Sequence, residues 1–191
     1  MAIETKAAER ETVAAPIDAG VRIGHVHLKV ADLDRALKFY CGVLGFQLMQ
    51  KLGPQAAFIS AGGYHHHIGL NTWESRGAPP PSPGTTGLYH LAILYPTRAA
   101  LANALRRLIE AKIPLDGAAD HGVSEALYLR DPDDNGVELY WDRPQDKWPR
   151  THDGKLAMFT RHLDLMGLLA AAGDPPRAQV ADAAEDEVRD L

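Results

Sequence analysis

Apolar and polar residues alternate along several short stretches of the chain, and the first clear case is the segment RIGHVHLKV at positions 22–30. Val26, Leu28 and Val30 fall on one face of an extended segment. The opposite face carries three polar side chains: His25, His27 and Lys29. The alternation predicts a β-strand with one buried face and one polar face.

A helical pattern follows this strand. Asp32 is a suitable N-cap, and the next apolar residues have helical spacing: Leu33, Ala36, Leu37 and Tyr40. Gly45 is placed to end the helix. Three further strands are predicted at about 46–51, 56–60 and 65–71, separated by Gly-Pro and Gly-Gly pairs. The first part of the chain therefore has the order βαβββ.

The second half repeats this order at an offset of 65 residues, the separation between His25 and His90. The strand around 91–95 is followed by a helix with Thr97 as its N-cap, and then by strands at about 115–118, 126–130 and 136–141. An Asn-Gly pair at 135–136 indicates the last hairpin. The repeat predicts a duplicated βαβββ unit.

The fold class predicted from these patterns is α+β. Two tandem βαβββ modules, 22–74 and 88–148, would form a curled mixed β-sheet cleft with the helices outside. A Pro/Gly-rich connector at 75–87 joins them. Residues 1–21 are expected to be a flexible lead-in. Residues 149–191 are expected to be a C-terminal extension with one short helix near 163–171 and an acidic tail.

Composition narrows the possible functions. The chain has 191 residues, of which 46% are hydrophobic, and a formal net charge of −5. An acidic balance argues against nucleic-acid or anionic-membrane partners, which favour basic surfaces. Cys41 is the single cysteine, so no intrachain disulfide is possible, and no apolar run is long enough for a membrane span. A cytoplasmic location is expected.

The matched positions of the repeat carry candidate chemistry. His25 and His90 each lie on the polar face of a module's opening strand, and Glu138 lies with Tyr140 on the polar face of the last strand. If the two sheets curl towards each other, two imidazoles and one carboxylate meet on the concave side. This ligand set is typical of non-haem Fe(II) sites, and Mn(II) or Zn(II) also fit it. The alternative for each residue alone is a hydrogen-bonded interior polar group.

The segment GHVHLKVADLDRALKFYCGVLGF resembles the opening module of the vicinal oxygen chelate superfamily, which includes glyoxalases, fosfomycin-resistance enzymes and extradiol dioxygenases. The resemblance extends over about 22–143. It implies that His25, His90 and Glu138 are the metal ligands. It further implies Fe(II) as the cofactor, with Mn(II) as the alternative, or another divalent metal if the protein is not a dioxygenase.

A second segment, HGVSEALYLRDPDDNGVE, is similar to the pattern of extradiol ring-cleaving dioxygenases. The pattern's histidine and tyrosine correspond to His121 and Tyr128, and its ligand glutamate to Glu138. Asp134 and Ala119 depart from the pattern. The resemblance implies that His121 and Tyr128 form hydrogen bonds to the substrate oxygens. The stretches YHHHIGLNTW and LDLMGLLA resemble the branch related to catechol 2,3-dioxygenases.

Three consecutive histidines, His65, His66 and His67, lie within the predicted fourth strand. Extradiol enzymes carry an acid–base histidine on this strand, and many glyoxalases carry a fourth, carboxylate ligand there. Alternation places His66 on the face of Ile68 and Leu70, and His66 is the predicted acid–base residue. His67 is the alternative, because a shift of one residue exchanges the two faces. The expected substrate-binding residues are His27, His67, Trp73 and Tyr140.

These interpretations lead to one principal hypothesis, a metal-dependent extradiol-type dioxygenase that cleaves a catecholic or hydroquinone-like ring with O₂. The alternatives are a glyoxalase-type isomerase or lyase and a fosfomycin-type transferase on the same metal site. A further alternative is a metal-free, ligand-sequestering resistance protein. The expected partners are a small aromatic substrate and O₂, and a homodimer through the last helix is left open.

Overall fold

The first sheet of the fold contains four strands. A computed structural model describes residues 15–173 of the chain. The strand order is β1-β4-β3-β2, with β1 and β4 parallel and the other pairs antiparallel. These strands are β1 (Val26–Lys29), β2 (Gln47–Leu52), β3 (Ala56–Ser60) and β4 (Ile68–Asn71).

The second sheet repeats the first and adds one strand. Its order is β5-β8-β7-β6-β9, again with one parallel pair, β5 with β8. Its members are β5 (Leu91–Leu94), β6 (Gly117–Asp120), β7 (Ser124–Arg130), β8 (Gly136–Asp142) and β9 (Arg161–His162). The predicted α+β class with two βαβββ units is confirmed, while the module boundaries 22–74 and 88–148 stay a prediction.

Capping side chains begin the three α-helices. The Asp32 carboxylate accepts a hydrogen bond from the Arg35 backbone at 3.0 Å, and the Thr97 hydroxyl accepts one from the Ala100 backbone at 3.1 Å. Each satisfies an otherwise unpaired backbone donor of the first turn. The helices are α1 (Leu33–Leu37), α2 (Arg98–Glu110) and α3 (Leu165–Leu169), and a short 3₁₀ turn covers Gln145–Lys147.

The first predicted helix differs from expectation in its second half. After α1 the backbone continues as a π-helical stretch, Lys38–Val43, in which the Leu44 amide bonds the Phe39 carbonyl at 3.1 Å. Wider hydrogen-bonded turns of this kind occur as local insertions in helices. Gly45 ends the stretch with φ +88°, and the Arg107 guanidinium packs against its backbone where a β-carbon would lie.

One hydrophobic core connects both sheets and both long helical segments. Val30, Leu70 and Leu139 are inaccessible on the sheet side, and Tyr40 and Leu101 are inaccessible on the helix side. The apolar face predicted for each strand is therefore the face that packs on the helices. The polar faces of β1 and β8 point away from this core.

Part of the C-terminal extension packs against the second sheet. β9 pairs with β6, and α3 contacts α2 while burying Leu168 completely. The sequence did not predict β9, because two residues carry no readable periodicity. The helix near 163–171 is present in shortened form, whereas the predicted acidic tail and most of the lead-in lie outside residues 15–173. Within the described residues no helix has the length and apolar character needed to cross a membrane.

The turn between β7 and β8 joins the second sheet to α1. The Tyr40 hydroxyl donates to Asp131 Oδ2 at 2.9 Å, and both residues are buried. The Ala31 amide donates to Asp133 Oδ1 at 3.0 Å, and Arg35 pairs with the same oxygen at 2.5 Å. These contacts link the segment that follows β1 to the segment that leads into β8.

Candidate metal and catalytic site

Four of the predicted site residues form a series of close polar contacts on the polar face of the second sheet. His90 Nε2 lies 2.9 Å from Glu138 Oε2. The Tyr128 hydroxyl donates to Glu138 Oε1 at 3.1 Å, and His121 Nε2 lies 2.8 Å from the same hydroxyl. Glu138 is thus held from both sides, by an imidazole and by a phenol.

Strand register explains this arrangement. Tyr128 in β7 and Ala92 in β5 are both direct partners of Glu138 in β8, so their side chains share one face. His90 precedes β5 by one residue and reaches the same face. Alternation correctly predicted the inward orientation of Tyr128, because β7 is regular over its whole length.

The C-terminal extension positions His121. Its Nδ1 lies 3.2 Å from the Phe159 carbonyl and 3.2 Å from the Thr160 hydroxyl. Sequence reasoning did not identify Phe159 or Thr160 as part of the site. The strand that brings these residues to the second sheet, β9, has only two residues, and so short a strand leaves no readable pattern in the sequence. His121 therefore bridges the extension and the Tyr128–Glu138 pair.

The electrostatic environment keeps Tyr128 protonated. Burial, followed by the negative charge and hydrogen bond of Glu138, raises the pKa of Tyr128 to about 12. The phenol is therefore a neutral hydrogen-bond donor at physiological pH. Since its proton is directed to Glu138, the bond from His121 reaches the phenolic oxygen with Nε2 as the donor.

A second cluster lies on the polar face of the first sheet. The rings of His25 and His66 are 4.4 Å apart, and Phe58 packs 5.0 Å from His66. His27 contacts Trp73, with ring centroids 5.4 Å apart. Partial burial, and then the neighbouring histidines led by His25, lower the pKa of His66. Its imidazole is therefore neutral near pH 7 and has a lone pair that can accept a proton.

The orientation that alternation predicted for His66 is wrong. His66 was expected on the face of Ile68 and Leu70, but those two side chains are buried in the core, whereas His66 packs on His25. The reason is that regular pairing begins near Ile68: the His67 backbone still bonds Ile59 and Val26, but His66 precedes these bonds and does not follow the pleat. His67 Nδ1 lies 2.9 Å from the Ser60 hydroxyl, and the Nδ1 atoms of His65 and His66 are 2.7 Å apart.

The predicted ligands are brought together only in part. Within residues 15–173, no three His, Cys, Asp or Glu side chains converge as a group able to hold an ion, so His25 does not join His90 and Glu138. The two sheets are not hydrogen-bonded to each other, and the separation between β1 and β5 therefore depends on packing between the modules. Ligation by all three residues stays a prediction.

The donor pair itself fits a divalent ion. Two donors about 2.1 Å from one ion at a right angle lie about 3.0 Å apart. The 2.9 Å between His90 Nε2 and Glu138 Oε2 matches that spacing. His90 Nδ1 is buried and has no hydrogen-bond partner in the described part of the chain, so the ring has a free nitrogen as well. An imidazole and a carboxylate are suitable ligands for Fe(II), Mn(II) or Zn(II).

The surroundings of this pair include residues that the sequence did not indicate. A cavity of about 260 Å³ adjoins His90 and Tyr128, and its other lining residues include Tyr89, Asp116 and Arg130. The Tyr89 ring lies 5.6 Å from the His90 ring. In the sequence, Tyr89 could have been identified only from its position directly before the candidate ligand His90. Of the expected substrate-binding residues, Trp73 is 57% exposed beside His27, and burial raises the pKa of Tyr140.

Comparison with known sequences identifies the family. A sequence model described as the Glyoxalase/Bleomycin resistance protein/Dioxygenase superfamily matches residues 22–139, more than half of the chain. The chain belongs to this superfamily. The resemblance drawn from the sequence motifs is thereby confirmed.

Two curated relatives and one solved structure describe its neighbourhood within the superfamily. Catechol-2,3-dioxygenase of Bacillus subtilis (strain 168) is 45% identical over 159 residues, which cover 83% of this chain and 54% of that protein. Biphenyl-2,3-diol 1,2-dioxygenase 3 of Rhodococcus globerulus is 34% identical over 63% of each chain. The chain thus spans less than two thirds of the length of these relatives. A glyoxalase/dioxygenase structure from Nostoc punctiforme shares the fold, with TM-score 0.56, 20% identity, and coverage of 70% of this chain and 100% of that one.

The position that Glu138 occupies in the second module is occupied by a glycine, Gly69, in the first. Gly69 pairs with His27 in the first sheet as Glu138 pairs with Ala92 in the second. A β-carbon at Gly69 would lie 2.9 Å from the His27 ring, so the ring occupies the space of a side chain there. A carboxylate ligand is therefore absent from this position of the first module.

Proposed function

We propose that the chain is a metal-dependent extradiol-type dioxygenase that cleaves a catecholic or hydroquinone-like ring. The observation that carries the proposal is the series His90–Glu138–Tyr128–His121, which combines a candidate ligand pair with two proton-holding groups. The two relatives described above, a catechol and a biphenyl-diol dioxygenase, support a diol substrate. The proposed ligands are His25, His90 and Glu138.

The cofactor proposed for this site is Fe(II), with Mn(II) as the alternative. A bound ion of either kind would supply a Lewis acid with open positions and a change of redox state. The chain's own contribution begins with Glu138. Its Oε1 atom is held by Tyr128, which orients the carboxylate and leaves Oε2 directed towards His90.

Tyr128 and His121 have the proposed role of binding a substrate oxygen. The phenol is a neutral donor, and His121 reaches its oxygen at 2.8 Å, so a proton can be held at either atom of this pair. With Nε2 as the donor to Tyr128, the Thr160 hydroxyl donates to Nδ1 and so holds the His121 ring. The adjoining cavity of about 260 Å³ has room for a single aromatic ring beside Tyr128.

His66 has the proposed role of accepting the proton of a substrate hydroxyl. Its ring contacts His25, the proposed ligand of the first sheet, and is held there by Phe58. If His25 and a substrate hydroxyl bind the same ion, this neutral imidazole would lie next to that hydroxyl and could accept its proton. Trp73 and His27 form an aromatic contact on the same side.

The test is anaerobic reconstitution with Fe(II), or separately with Mn(II), followed by air and a panel of catechols. Oxygen uptake and the yellow ring-cleavage product are recorded together with the metal content. We expect uptake with at least one ortho-diol, loss of bound metal and activity in Glu138→Gln, and retained metal with slow turnover in His66→Gln. His152→Gln, at an exposed histidine in a turn that contributes no residue to the proposed site, is the matched control and should behave as the wild type.

The outcomes separate the candidate reactions. Stoichiometric metal without oxygen uptake for any diol would overturn the dioxygenase and leave isomerase or transferase chemistry on the same ligands. A protein that binds neither ion above the level of Glu138→Gln would overturn the metal site itself. Equal activity in the wild type and His66→Gln would remove His66 from the mechanism.

A further inference from the structure

A small cavity lies between the end of the first helical segment and α2. Its volume is about 150 Å³, and its lining residues are Leu44, Tyr95, Ala100, Asn103, Ala104 and Arg107. Tyr95 directly follows β5, and alternation directs its side chain to the face opposite to that of Ala92, the strand partner of Glu138. The cavity and Glu138 are therefore on opposite faces of the second sheet. The cavity is thus separate from the proposed active site.

The single charge in the cavity wall is the Arg107 guanidinium. One of its N–H groups donates to the Leu44 carbonyl at 3.2 Å, which leaves further donors directed elsewhere. Among residues 15–173 no carboxylate lies within 4.0 Å of Arg107, whereas the adjacent Arg106 has Glu110 at 4.0 Å. A partly buried guanidinium without a counter-charge attracts an anion.

Two neutral polar groups complete the wall. The side-chain oxygen of Asn103 is buried and has no hydrogen-bond partner in the part of the chain that the structure describes. Burial raises the pKa of Tyr95 to about 12, and the positive charge of Arg107 partly opposes this. The phenol is therefore a neutral donor. The cavity wall thus carries one cation and one neutral hydroxyl donor, whereas the Asn103 oxygen has almost no accessible surface and does not face the cavity.

We propose that this cavity binds a small oxyanion of the phosphate or bicarbonate class. The guanidinium of Arg107 and the hydroxyl of Tyr95 donate to its oxygens. The volume corresponds to about five water molecules of ~30 Å³ each, enough for such an anion and a water.

The first experiment is a calorimetric titration of the full chain with inorganic phosphate and, separately, with bicarbonate. Both are run at constant ionic strength, with chloride as the comparison anion. We expect saturable one-to-one binding of at least one of the two oxyanions and weaker or absent binding of chloride. The tighter of the two anions identifies the ligand class.

Four variants locate the binding. Arg107→Gln removes the charge and should weaken binding about 10- to 100-fold, the value of a charge-assisted hydrogen bond. Tyr95→Phe keeps the ring and should weaken it about threefold to tenfold. Asn103→Asp has the same shape but repels an anion, so binding should be lost. Arg106→Gln, the adjacent arginine outside the cavity, should bind as the wild type does.

Three results would overturn the proposal. The first is the absence of saturable binding with a Kd below about 10 mM for either anion. The second is equal binding of chloride, which would show that the oxyanion is not recognised. The third is an equal loss in Arg106→Gln and Arg107→Gln, which would indicate a general surface charge effect. If Arg107→Gln is poorly folded by circular dichroism, Tyr95→Phe and Asn103→Asp decide the question.

Discussion

Tyr40→Phe tests the contact that joins the two modules. Tyr40 is completely buried, and its hydroxyl donates to Asp131 Oδ2 at 2.9 Å. The substitution removes one oxygen atom and keeps the ring, so the packing of the core is preserved. The expected effect is therefore the loss of a single hydrogen bond to a buried carboxylate.

The structure sets the size of this loss. A hydrogen bond to a charged group contributes about 1.5–3 kcal/mol to the free energy of unfolding. Asp131 keeps three other donors after the substitution, the amide of Asp133 and two groups of Asn135, at 2.8–2.9 Å. The carboxylate is thus still largely satisfied, and we expect the lower part of that range, about 1.5–2 kcal/mol. For a domain of this size the corresponding fall in Tm is about 3–8 °C.

The dependence on pH has a defined sign. Burial, and then the charge of Asp131, raise the pKa of Tyr40 far above its ordinary value. An unfolded tyrosine ionises near pH 10, so the contribution of Tyr40 is fully present below about pH 10 and is lost as the pH rises above it. The difference in stability between the wild type and Tyr40→Phe should therefore shrink at alkaline pH.

Urea unfolding followed by tryptophan fluorescence measures these differences. Tyr64→Phe is the matched control, because Tyr64 is 41% exposed, and its change should stay within about 0.5 kcal/mol. A loss in Tyr40→Phe no larger than in Tyr64→Phe would refute the reasoning. So would a difference that stays constant from neutral pH to well above pH 10.

Three further predictions concern the second sheet and α2. Tyr128→Phe should keep bound metal but slow oxygen uptake about 10²-fold or more, because the phenol no longer holds its carboxylate and imidazole partners; unchanged uptake in an electrode assay would contradict this. Thr97→Ala removes the α2 cap and should cost about 1 kcal/mol in urea unfolding, with Thr97→Ser as the control that keeps the cap. Glu125→Gln weakens a buried pairing with Arg98 and Arg143 at 2.8 and 2.9 Å. The expected loss is about 2 kcal/mol, below the 3–5 kcal/mol of fully buried pairs because both guanidiniums are partly exposed; a loss under about 0.5 kcal/mol in thermal unfolding would contradict it.

The regular strands were predictable because their side chains obey a local rule. Tyr128 and Glu138 lie within β7 and β8, and their shared face follows from alternation along each strand. The predicted caps at Asp32 and Thr97 are also local, since a cap depends on residues three positions apart. The π-helical stretch after α1 was not predictable, because the same apolar spacing fits either helix.

The orientation of the histidine run shows where the local rule ends. His66 reaches His25 because the chain before β4 is a turn, and the start of a strand depends on its hydrogen-bonded neighbour. The contacts of His121 with Phe159 and Thr160 span 38 and 39 residues. A contact between residues so far apart in the sequence cannot be predicted from the residue pattern of either segment alone.

The sequence by itself determined the duplicated βαβββ order, the buried and polar face of each regular strand, and the identity of the chemical groups on the polar faces. These properties depend on side-chain spacing within a few residues, which the chain carries wherever it folds. Only the tertiary structure decided which of these groups meet. His90 joined Glu138 and Tyr128 through strand pairing, while His25 joined His66 instead. The cavity at Arg107 likewise exists only where the end of one module packs on the helix of the other, because packing between distant segments is set by the complete core.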